Sequence, residues 1–277
     1  MLPLPSSLRE SLWLHLKSLP MNTLFAQAVV EHKAPGAIYV DDDAQPAAYF
    51  IVHPYRMSLL TGEPRHEAFV REVNRYITND ANQRTQAEWL KIDTPVWREA
   101  LPALGSDGPV EEHVRLNFQF QPDLYWHSRQ AQQVAAPEAS VEIRPLAREE
   151  ALRFQGAVIP QAFWRPAEEP RIETLGTSHV SPDPETAYGV IVDGQLASVA
   201  FVAYRSETEL EIGIETAPGF QGRGFAYEAS AALVENILAQ GFQPVWGCRE
   251  GNVGSLKLAT KLGFEPVRRL PYFHLPL

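Results

Sequence analysis

Alternation of apolar and polar residues predicts two β-hairpins, one in each half of the 277-residue chain. The first covers residues 36–52 and the second residues 187–204, where an Asp-Gly turn separates two apolar runs. In each half a third strand follows, at 57–60 and at 209–216, and leads through a turn into an amphipathic helix. This shared order favours two related α/β units. The alternative is that two unrelated α/β domains share these elements by chance.

The helices that follow the third strands have apolar faces at helical spacing. In the first half the helix is predicted to begin at Pro64 and to bury Phe69, Val70, Val73, Tyr76 and Ile77. In the second half it is predicted over residues 225–240, ending before Gly241, and to bury Ala226, Ala229, Leu233, Ile237 and Leu238. Each half continues with a strand and a helix that ends in Leu-Gly, and closing strands are predicted at 114–120 and 271–276.

The start of the chain and its middle set the expected boundaries. Ser7 and Glu10 have the spacing of a capping box, and leucines at helical spacing follow them, which predicts a docked amphipathic helix and not an export signal. Residues 129–140 are polar and small with no apolar periodicity, as in a linker. We therefore expect domains at 1–140 and 141–277, each an α/β (α+β) unit with a mixed, mostly antiparallel sheet flanked by helices.

Composition limits the classes of function. The formal charge, 24 − 34 = −10, disfavours nucleic acid as a partner and favours a cationic small molecule. Cys248 is the only cysteine and the eight histidines lack metal-ligand spacing, so no metal site is expected. No apolar run reaches the about 20 residues that a membrane span needs. We expect a cytoplasmic protein without a membrane partner. Its oligomeric state stays open, with a homodimer among the alternatives.

A glycine-rich turn follows the strand at 209–216 and opens directly into a helix. Its residues are Gln221-Gly222-Arg223-Gly224. The first N–H groups of a helix have no partner within it, and the helix dipole adds partial positive charge there, so the turn is suited to a diphosphate. Arg223 adds a cationic donor. A simple tight turn is the alternative, because neither a dinucleotide fingerprint nor a Walker loop is complete.

Two motifs in the second half resemble the GNAT superfamily of N-acetyltransferases. Gln221-x-x-Gly224-x-Ala226 is similar to its acyl-CoA loop. Residues 244–264, with an Asn-x-x-Ser and a closing Lys-Leu-Gly-Phe, are similar to the strand and helix that follow that loop. The order and spacing of both motifs resemble a bacterial subgroup of two-unit acetyltransferases. The strong resemblance covers about residues 187–264, and the first half resembles the fold only.

The resemblance implies that acetyl-CoA is the co-substrate. Its diphosphate would contact the main-chain N–H groups of Gln221, Gly222, Arg223, Gly224, Phe225 and Ala226. Its pantetheine arm would pair like an extra strand, and N–H groups near Ile214 and Thr216 would polarise the thioester carbonyl. Asn252 and Ser255 would contact the pantetheine or the sulfur. A helix N-cap and a first-turn residue are their alternative roles.

Transfer to an amine also needs a base that removes the ammonium proton. Glu211 and Glu215 alternate with Ile212 and Ile214, which predicts that both carboxylates lie on one face of the strand. Glu215 is the first candidate because it lies nearer the splayed end, and Glu209 is a weaker one. A solvated strand face or a structural hydrogen bond is the alternative for each.

The acid for the leaving thiolate is less defined. Many members of the superfamily have a Tyr seven residues after the Asn, but Ala259 stands there in this chain. Cys248 and Ser255 are the remaining candidates, and Cys248 is also typical of a buried strand residue. The turn at residues 61–64 offers no second site, since Glu and Pro replace the amides that would bind phosphate.

These features predict an enzyme that moves an acetyl group from acetyl-CoA to the amine of a small, cationic molecule. An acyl-CoA-binding regulatory protein without catalysis and an aminoacyl transferase using charged tRNA are the alternatives. Acceptors left open include an antibiotic, a polyamine, an amino acid and a protein N-terminus. Candidates for the amine pocket are Phe163, Trp164, Tyr188 and Trp246, with core packing as their alternative, and a loop over the pocket is predicted at 165–184.

Overall fold

The computed structural model describes residues 1–80, 82–132, 141–164 and 186–277. These residues form an α/β fold with two mixed sheets flanked by helices. They divide into two compact units. Unit 1 comprises 1–115, 249–251 and 268–277, and unit 2 comprises 116–248 and 252–267. Neither unit is continuous in sequence, whereas the sequence predicts one division between residues 140 and 141. The loop predicted at 165–184 lies outside the described residues.

The helices and strands follow in chain order. Those of the first part are β1 (Leu2–Pro3), α1 (Arg9–Ser18), α2 (Leu24–Val30), β2 (Ala37–Val40), β3 (Ala48–His53), β4 (Met57–Gly62), α3 (Glu67–Thr78), β5 (Glu88–Ile92), α4 (Val96–Ala100), β6 (Glu111–Phe120) and α5 (Pro122–Gln132). Those of the remainder are β7 (Val141–Pro145), α6 (Arg148–Ala151), β8 (Ala187–Val192), β9 (Gln195–Arg205), β10 (Glu209–Thr216), α7 (Phe225–Ala239), β11 (Gln243–Val245), β12 (Gly247–Arg249), α8 (Val253–Lys261) and β13 (Phe264–Leu275).

Unit 1 is built on strands in the order β1-β2-β3-β4-β5-β13. Only β4 and β5 run parallel; the other neighbours in this series are antiparallel. The predicted hairpin is confirmed as β2 and β3. One face of the sheet buries Phe50, Leu90 and Phe273 together with Phe69 and Val73 of α3. The last strand of this unit comes from the end of the chain, since Tyr272 lies opposite Lys91.

Unit 2 contains a five-stranded sheet in the order β11-β10-β9-β8-β7, in which only β10 and β11 are parallel. Helix α7 packs on β8, β9 and β10. Strand β6 is outside this five-stranded sheet; it lies between β13 and β12 in the other sheet. The second predicted hairpin is confirmed as β8 and β9, and α7 begins at Phe225 as predicted. Gly241, with a φ of +79°, ends α7 in the left-handed conformation that favours glycine.

Two predicted helix starts were wrong. Ser7 lies in a short 3₁₀ turn at Ser6–Leu8, and α1 begins at Arg9 without a side-chain cap, although Leu12 and Leu16 are buried as expected. Helix α3 begins at Glu67 and not at Pro64. The preceding residues are not helical: the N–H of Glu63 donates to the carbonyl of Ala47, next to the β3–β4 pairing.

Three residues predicted to be buried, Val70, Ala226 and Leu238, are only half-buried. The linker prediction was wrong for residues 129–132, which continue α5. Arg129 binds Glu228 at 2.9 Å and Glu235 at 3.0 Å on α7, so this part of the chain is a docked helix. Residues 133–140 lie outside the described residues.

Arg84 is a buried arginine of unit 1, with only 3% of its surface exposed. Its guanidinium donates to five main-chain carbonyls: Tyr76, Ile77, Gln86, Leu275 and Pro276, at 2.7–3.4 Å. Burial lowers the pKa of Arg84 and raises that of Glu88. Arg84 therefore connects α3, the loop before β5 and the C-terminal strand through one side chain.

His53 gives unit 1 a pH-dependent stability. Its side chain is fully buried, and burial lowers its pKa from 6.5 to about 4. Between these values the unfolded chain binds the proton more strongly than the folded chain, so stability present above pH 6.5 is lost as the pH falls towards 4. The full loss is about 3 kcal/mol, at about 1.4 kcal/mol for each pKa unit.

We expect His53→Asn to remove most of this pH dependence, because an Asn amide does not titrate. In the wild type, His53 Nδ1 accepts the N–H of Tyr55 at 3.0 Å. The amide oxygen of Asn can still accept this N–H. The measurement is urea unfolding at neutral and acidic pH. His127→Asn, at an exposed position, is the control and should keep the wild-type slope. An unchanged pH slope in His53→Asn would contradict the assignment.

Candidate functional site

Strands β10 and β11 separate within unit 2. They pair only from Glu209 opposite Gln243 to Glu211 opposite Val245. After Val245 the chain passes through Trp246 into β12, which lies beside β6, and Trp246 O accepts the N–H of Phe118 at 3.1 Å. Beyond Glu211, β10 therefore continues without β11 beside it.

The freed edge of β10 presents main-chain N–H groups. On its other side β10 stays paired with β9 as far as Thr216, and the N–H of Ala217 then donates to Ala197 O at 2.9 Å. Because N–H groups alternate in direction along a strand, those of Ile214 and Thr216 point away from β9. They lie along the edge that β11 leaves open, which is where the sequence predicts the thioester contacts.

The pairing of β9 with β10 shifts by one residue between Glu211 and Ile212, where Ala203 of β9 has no partner opposite it. This irregularity was not predicted; because the extra residue lies on β9, the side chains of β10 keep their alternation. The two carboxylates differ in burial. Glu211 is 7% exposed, whereas Glu215 is half-buried.

Glu215 is held by a segment far away in the sequence. Its Oε2 accepts the N–H groups of Ala157 at 3.1 Å and Val158 at 2.8 Å. A Cβ on Gly156 would lie 2.5 Å from Glu215 Cγ, so the backbone approaches this side chain as closely as only glycine allows. The structural hydrogen bond raised as an alternative for Glu215 is therefore present, although to a loop and not to a strand.

The end of β10 is tied to the glycine-rich turn. Ser198, fully buried on β9, donates to Glu215 O at 3.1 Å and lies 2.8 Å from Thr216 Oγ1. Gln221 Nε2 donates to Thr216 O at 3.3 Å. The side chain of Gln221 thus closes the turn back onto the strand. The role of Ser198 has no signal in the sequence.

The turn itself is exposed and has the backbone that glycine provides. Gly222 and Gly224 have φ values of +75° and +86°, and a Cβ on either would meet no atom within 4 Å. Gly224 precedes α7, and no side chain caps that helix. The guanidinium of Arg223 lies 4.8 Å from the ring centre of Phe225. The turn therefore combines an uncapped helix N-terminus with an adjacent cation, as an anion site requires.

Asn252 and Ser255 are placed at the start of α8. Asn252 Oδ1 accepts the N–H of Ser255 at 3.1 Å, which confirms the N-cap alternative. Ser255 Oγ accepts the indole N–H of Trp246 at 3.1 Å. This indole contact, nine residues away along the chain, was not anticipated. It fixes Ser255 beside the point where the strand leaves β10.

The other candidates pack in the interior. Cys248 is 5% exposed and Trp246 is 2% exposed. Phe163 and Trp164 are each 8% exposed, and the Trp164 indole donates to Val202 O at 2.8 Å. Core packing is thus the observed role of these aromatic residues. Tyr188 is half-buried.

Unit 1 has no comparable strand separation at β4 and β5. These strands pair from Met57 opposite Trp89 to Leu60 opposite Ile92. Beyond them Asp93 Oδ2 accepts the hydroxyl of Thr61 at 2.6 Å and the N–H of Gly62 at 3.1 Å. The corresponding edge is closed by hydrogen bonds, which supports the expectation that the first half lacks a second site.

In the described part of the chain, no group of three or more His, Cys, Asp or Glu side chains could hold a metal ion. No helix there has the length and apolar character to cross a membrane.

Comparisons with known proteins extend these observations. A family model described as GNAT acetyltransferase matches residues 15–273. The chain is 20% identical over 252 residues to the uncharacterized N-acetyltransferase YdfB of Bacillus subtilis (strain 168), covering 90% of this chain and 89% of that protein. A GCN5-related N-acetyltransferase-like protein from Streptococcus suis 89/1591 superposes with a TM-score of 0.69 at 18% identity, covering 97% and 99% of the two chains. A tandem GNAT protein from the clavulanic acid biosynthesis pathway gives 0.58 at 12% identity, covering 99% and 97%.

Proposed function

Because the chain belongs to the GNAT acetyltransferase family, we propose that unit 2 transfers the acetyl group of acetyl-CoA to the amine of a small molecule. The observation that carries the proposal is that the open edge of β10 leads directly into the uncapped, glycine-rich turn at 221–224. The pantetheine arm of the coenzyme would contact the open edge, and the diphosphate joined to that arm would contact the turn. The formal charge of −10 favours an acceptor whose amine arrives protonated.

The length of the open edge sets where the thioester lies. Residues 212–216 span about 13 Å at about 3.3 Å per residue. With the diphosphate on the amides of 221–226, the pantetheine arm would run back along this edge towards Glu211 and Ile212. N–H groups on the edge would polarise the thioester carbonyl. The neutral amine nitrogen attacks the carbonyl carbon, the carbon–sulfur bond breaks, and coenzyme A leaves as the thiolate. The acylated nitrogen loses its extra proton, which the thiolate takes up directly or through water.

The partners of the two glutamates change the choice of base. Glu211 lies at the point where β10 and β11 separate, whereas Glu215 lies four residues further along and accepts two N–H groups of the loop at 157–158. We therefore assign removal of the ammonium proton to Glu211, directly or through water. Glu215 holds the loop and acts as a positioning residue.

The test separates the two glutamates. Glu211→Gln is expected to lower kcat about 100-fold, since general base catalysis contributes about 10²–10⁴-fold, with little change in acetyl-CoA affinity. Glu215→Gln should lower kcat less and raise KM, because an amide can still accept the loop N–H groups. Thiol release over a library of amines gives the rates, and calorimetry gives the affinity. Equal losses of kcat in both variants would contradict the assignment.

A second candidate function is acyl-CoA binding without turnover. It is favoured by two of the positions considered for the acid: Ala259 has no proton to give, and Cys248 is only 5% exposed. Binding of acetyl-CoA without thiol release across the amine library would support it. Transfer from charged tRNA, a cytoplasmic location and a homodimer stay predictions.

A further inference from the structure

Ser198 is a polar residue in an otherwise apolar, buried stretch of β9. It is fully buried, and so are its neighbours Ala197 and Val199. Because it lies between β8 and β10 in the middle of the sheet, it acts through other residues and not on a ligand. Burying a hydroxyl costs free energy unless hydrogen bonds replace those made to water. The partners of this hydroxyl therefore indicate its role.

Both partners of the Ser198 hydroxyl lie at the end of β10. Ser198 Oγ donates to Glu215 O at 3.1 Å. A serine hydroxyl has one hydrogen to donate, so the 2.8 Å contact with Thr216 Oγ1 is a hydrogen bond that the threonine donates. One buried serine thus binds two consecutive residues of β10, where the strand leads towards the glycine-rich turn.

The hydrogen bond to Glu215 O acts on a peptide group that belongs to the open edge. The C=O of Glu215 and the N–H of Thr216 are parts of one planar trans peptide, in which they point in opposite directions. Since the carbonyl points towards Ser198 on β9, the N–H points to the edge that β11 leaves open. A hydrogen bond to the carbonyl also polarises the N–H of the same peptide. Ser198 therefore orients and strengthens the Thr216 donor from behind the strand.

We propose that Ser198 is a positioning residue for coenzyme binding, which directs the N–H of Thr216 at an amide carbonyl of the pantetheine arm. This rests on the proposed function. Thr216 lies about 16 Å from Glu211 at about 3.3 Å per residue, on the side of the turn that would hold the diphosphate. Its N–H therefore meets the arm and not the thioester, whose carbonyl is left to the N–H of Ile214. Loss of Ser198 weakens coenzyme binding and leaves acetyl transfer itself intact.

The test is Ser198→Ala, which removes the hydroxyl and adds no atoms. It is expected to raise Kd and KM for acetyl-CoA about 5-fold, the effect of one neutral hydrogen bond, while kcat changes less than about 2-fold. The Kd of 3′-phosphoadenosine 5′-diphosphate, which has the diphosphate but no pantetheine arm, should also change less than about 2-fold. The control is Ser58→Ala, at a fully buried serine of β4 in unit 1, which should match the wild type.

A second readout follows the Thr216 amide directly. In protein labelled with ¹⁵N-threonine, saturating acetyl-CoA should move the amide proton resonance of Thr216 downfield, and by less in Ser198→Ala. If the wild type binds acetyl-CoA, an unchanged Kd in Ser198→Ala, equal losses of affinity for acetyl-CoA and the nucleotide, or an unmoved Thr216 resonance would overturn the proposal. A fall in kcat of about 10-fold or more at unchanged KM would also overturn it and place the thioester at Thr216. Failure of the wild type to bind acetyl-CoA would instead count against the proposed function.

Discussion

Replacing Gly224 by glutamate is expected to weaken acetyl-CoA binding about 100-fold or more. The variant adds a carboxylate where the uncapped N–H groups of α7 would meet the diphosphate, and like charges there repel. The added Cβ meets no atom within 4 Å, so the side chain enters open space and leaves the helix in place. A φ of +86° adds a conformational cost of about 1 kcal/mol for a residue with a Cβ.

The conformational cost is separated from the charge by a matched variant. Gly224→Gln has nearly the same shape and the same backbone strain but no charge, so it should lose less than about 10-fold in affinity. Gly219→Glu places the same charge on an exposed residue before the turn, with no atom within 4 Å of its Cβ, and should have a weaker effect. Calorimetric titration with acetyl-CoA measures all three. Similar affinities for the Glu and Gln variants at position 224 would refute a diphosphate site at this turn.

The second large effect concerns stability. Arg84→Met is expected to lower the free energy of unfolding by about 3 kcal/mol or more, because buried carbonyls lose a donor that Met cannot replace. At about 2–4 °C for each kcal/mol, this corresponds to a fall in Tm of roughly 6–12 °C. Arg84→Lys should lie between Met and wild type, since an ammonium cannot reach the five carbonyls that the guanidinium binds at once.

The control for this experiment is Arg75→Met on α3. Arg75 is exposed and forms a surface pair with Glu72 at 3.1 Å, so its loss should cost less than about 1 kcal/mol. Urea and thermal unfolding followed by circular dichroism measure the change. A difference of less than about 1 kcal/mol between Arg84→Met and Arg75→Met would show that the buried guanidinium is not an important stabilising contact.

Local patterns predicted the elements that form the site. The strand Glu209–Thr216 and the start of α7 at Phe225 agree with the structure, because apolar alternation and the glycine pair act over a few residues. The two helix starts were wrong. The spacing of Ser7 and Glu10 is also compatible with a 3₁₀ turn, and the residue before Pro64 donates its N–H to Ala47 O instead of entering the helix.

Contacts between distant parts of the chain could not be predicted from local sequence patterns. No local signal places the N–H groups of residues 157–158 on Glu215, or Tyr272 opposite Lys91. The shift in register at Ala203 also depends on how β9 pairs with β10. The roles assigned to Glu211 and Glu215 therefore differ from those predicted from the sequence. The sequence shows which carboxylates are available, but not which atoms approach them.

The origin of the last strand of unit 1 has a consequence for biosynthesis. Residues 272–275 pair with β5, and Arg84 binds the carbonyls of Leu275 and Pro276. These residues are translated after the other strands of that sheet. Until they emerge from the ribosome, the nascent segment has an open strand edge and an unfilled guanidinium pocket. Completion of this sheet therefore waits for residues 272–276.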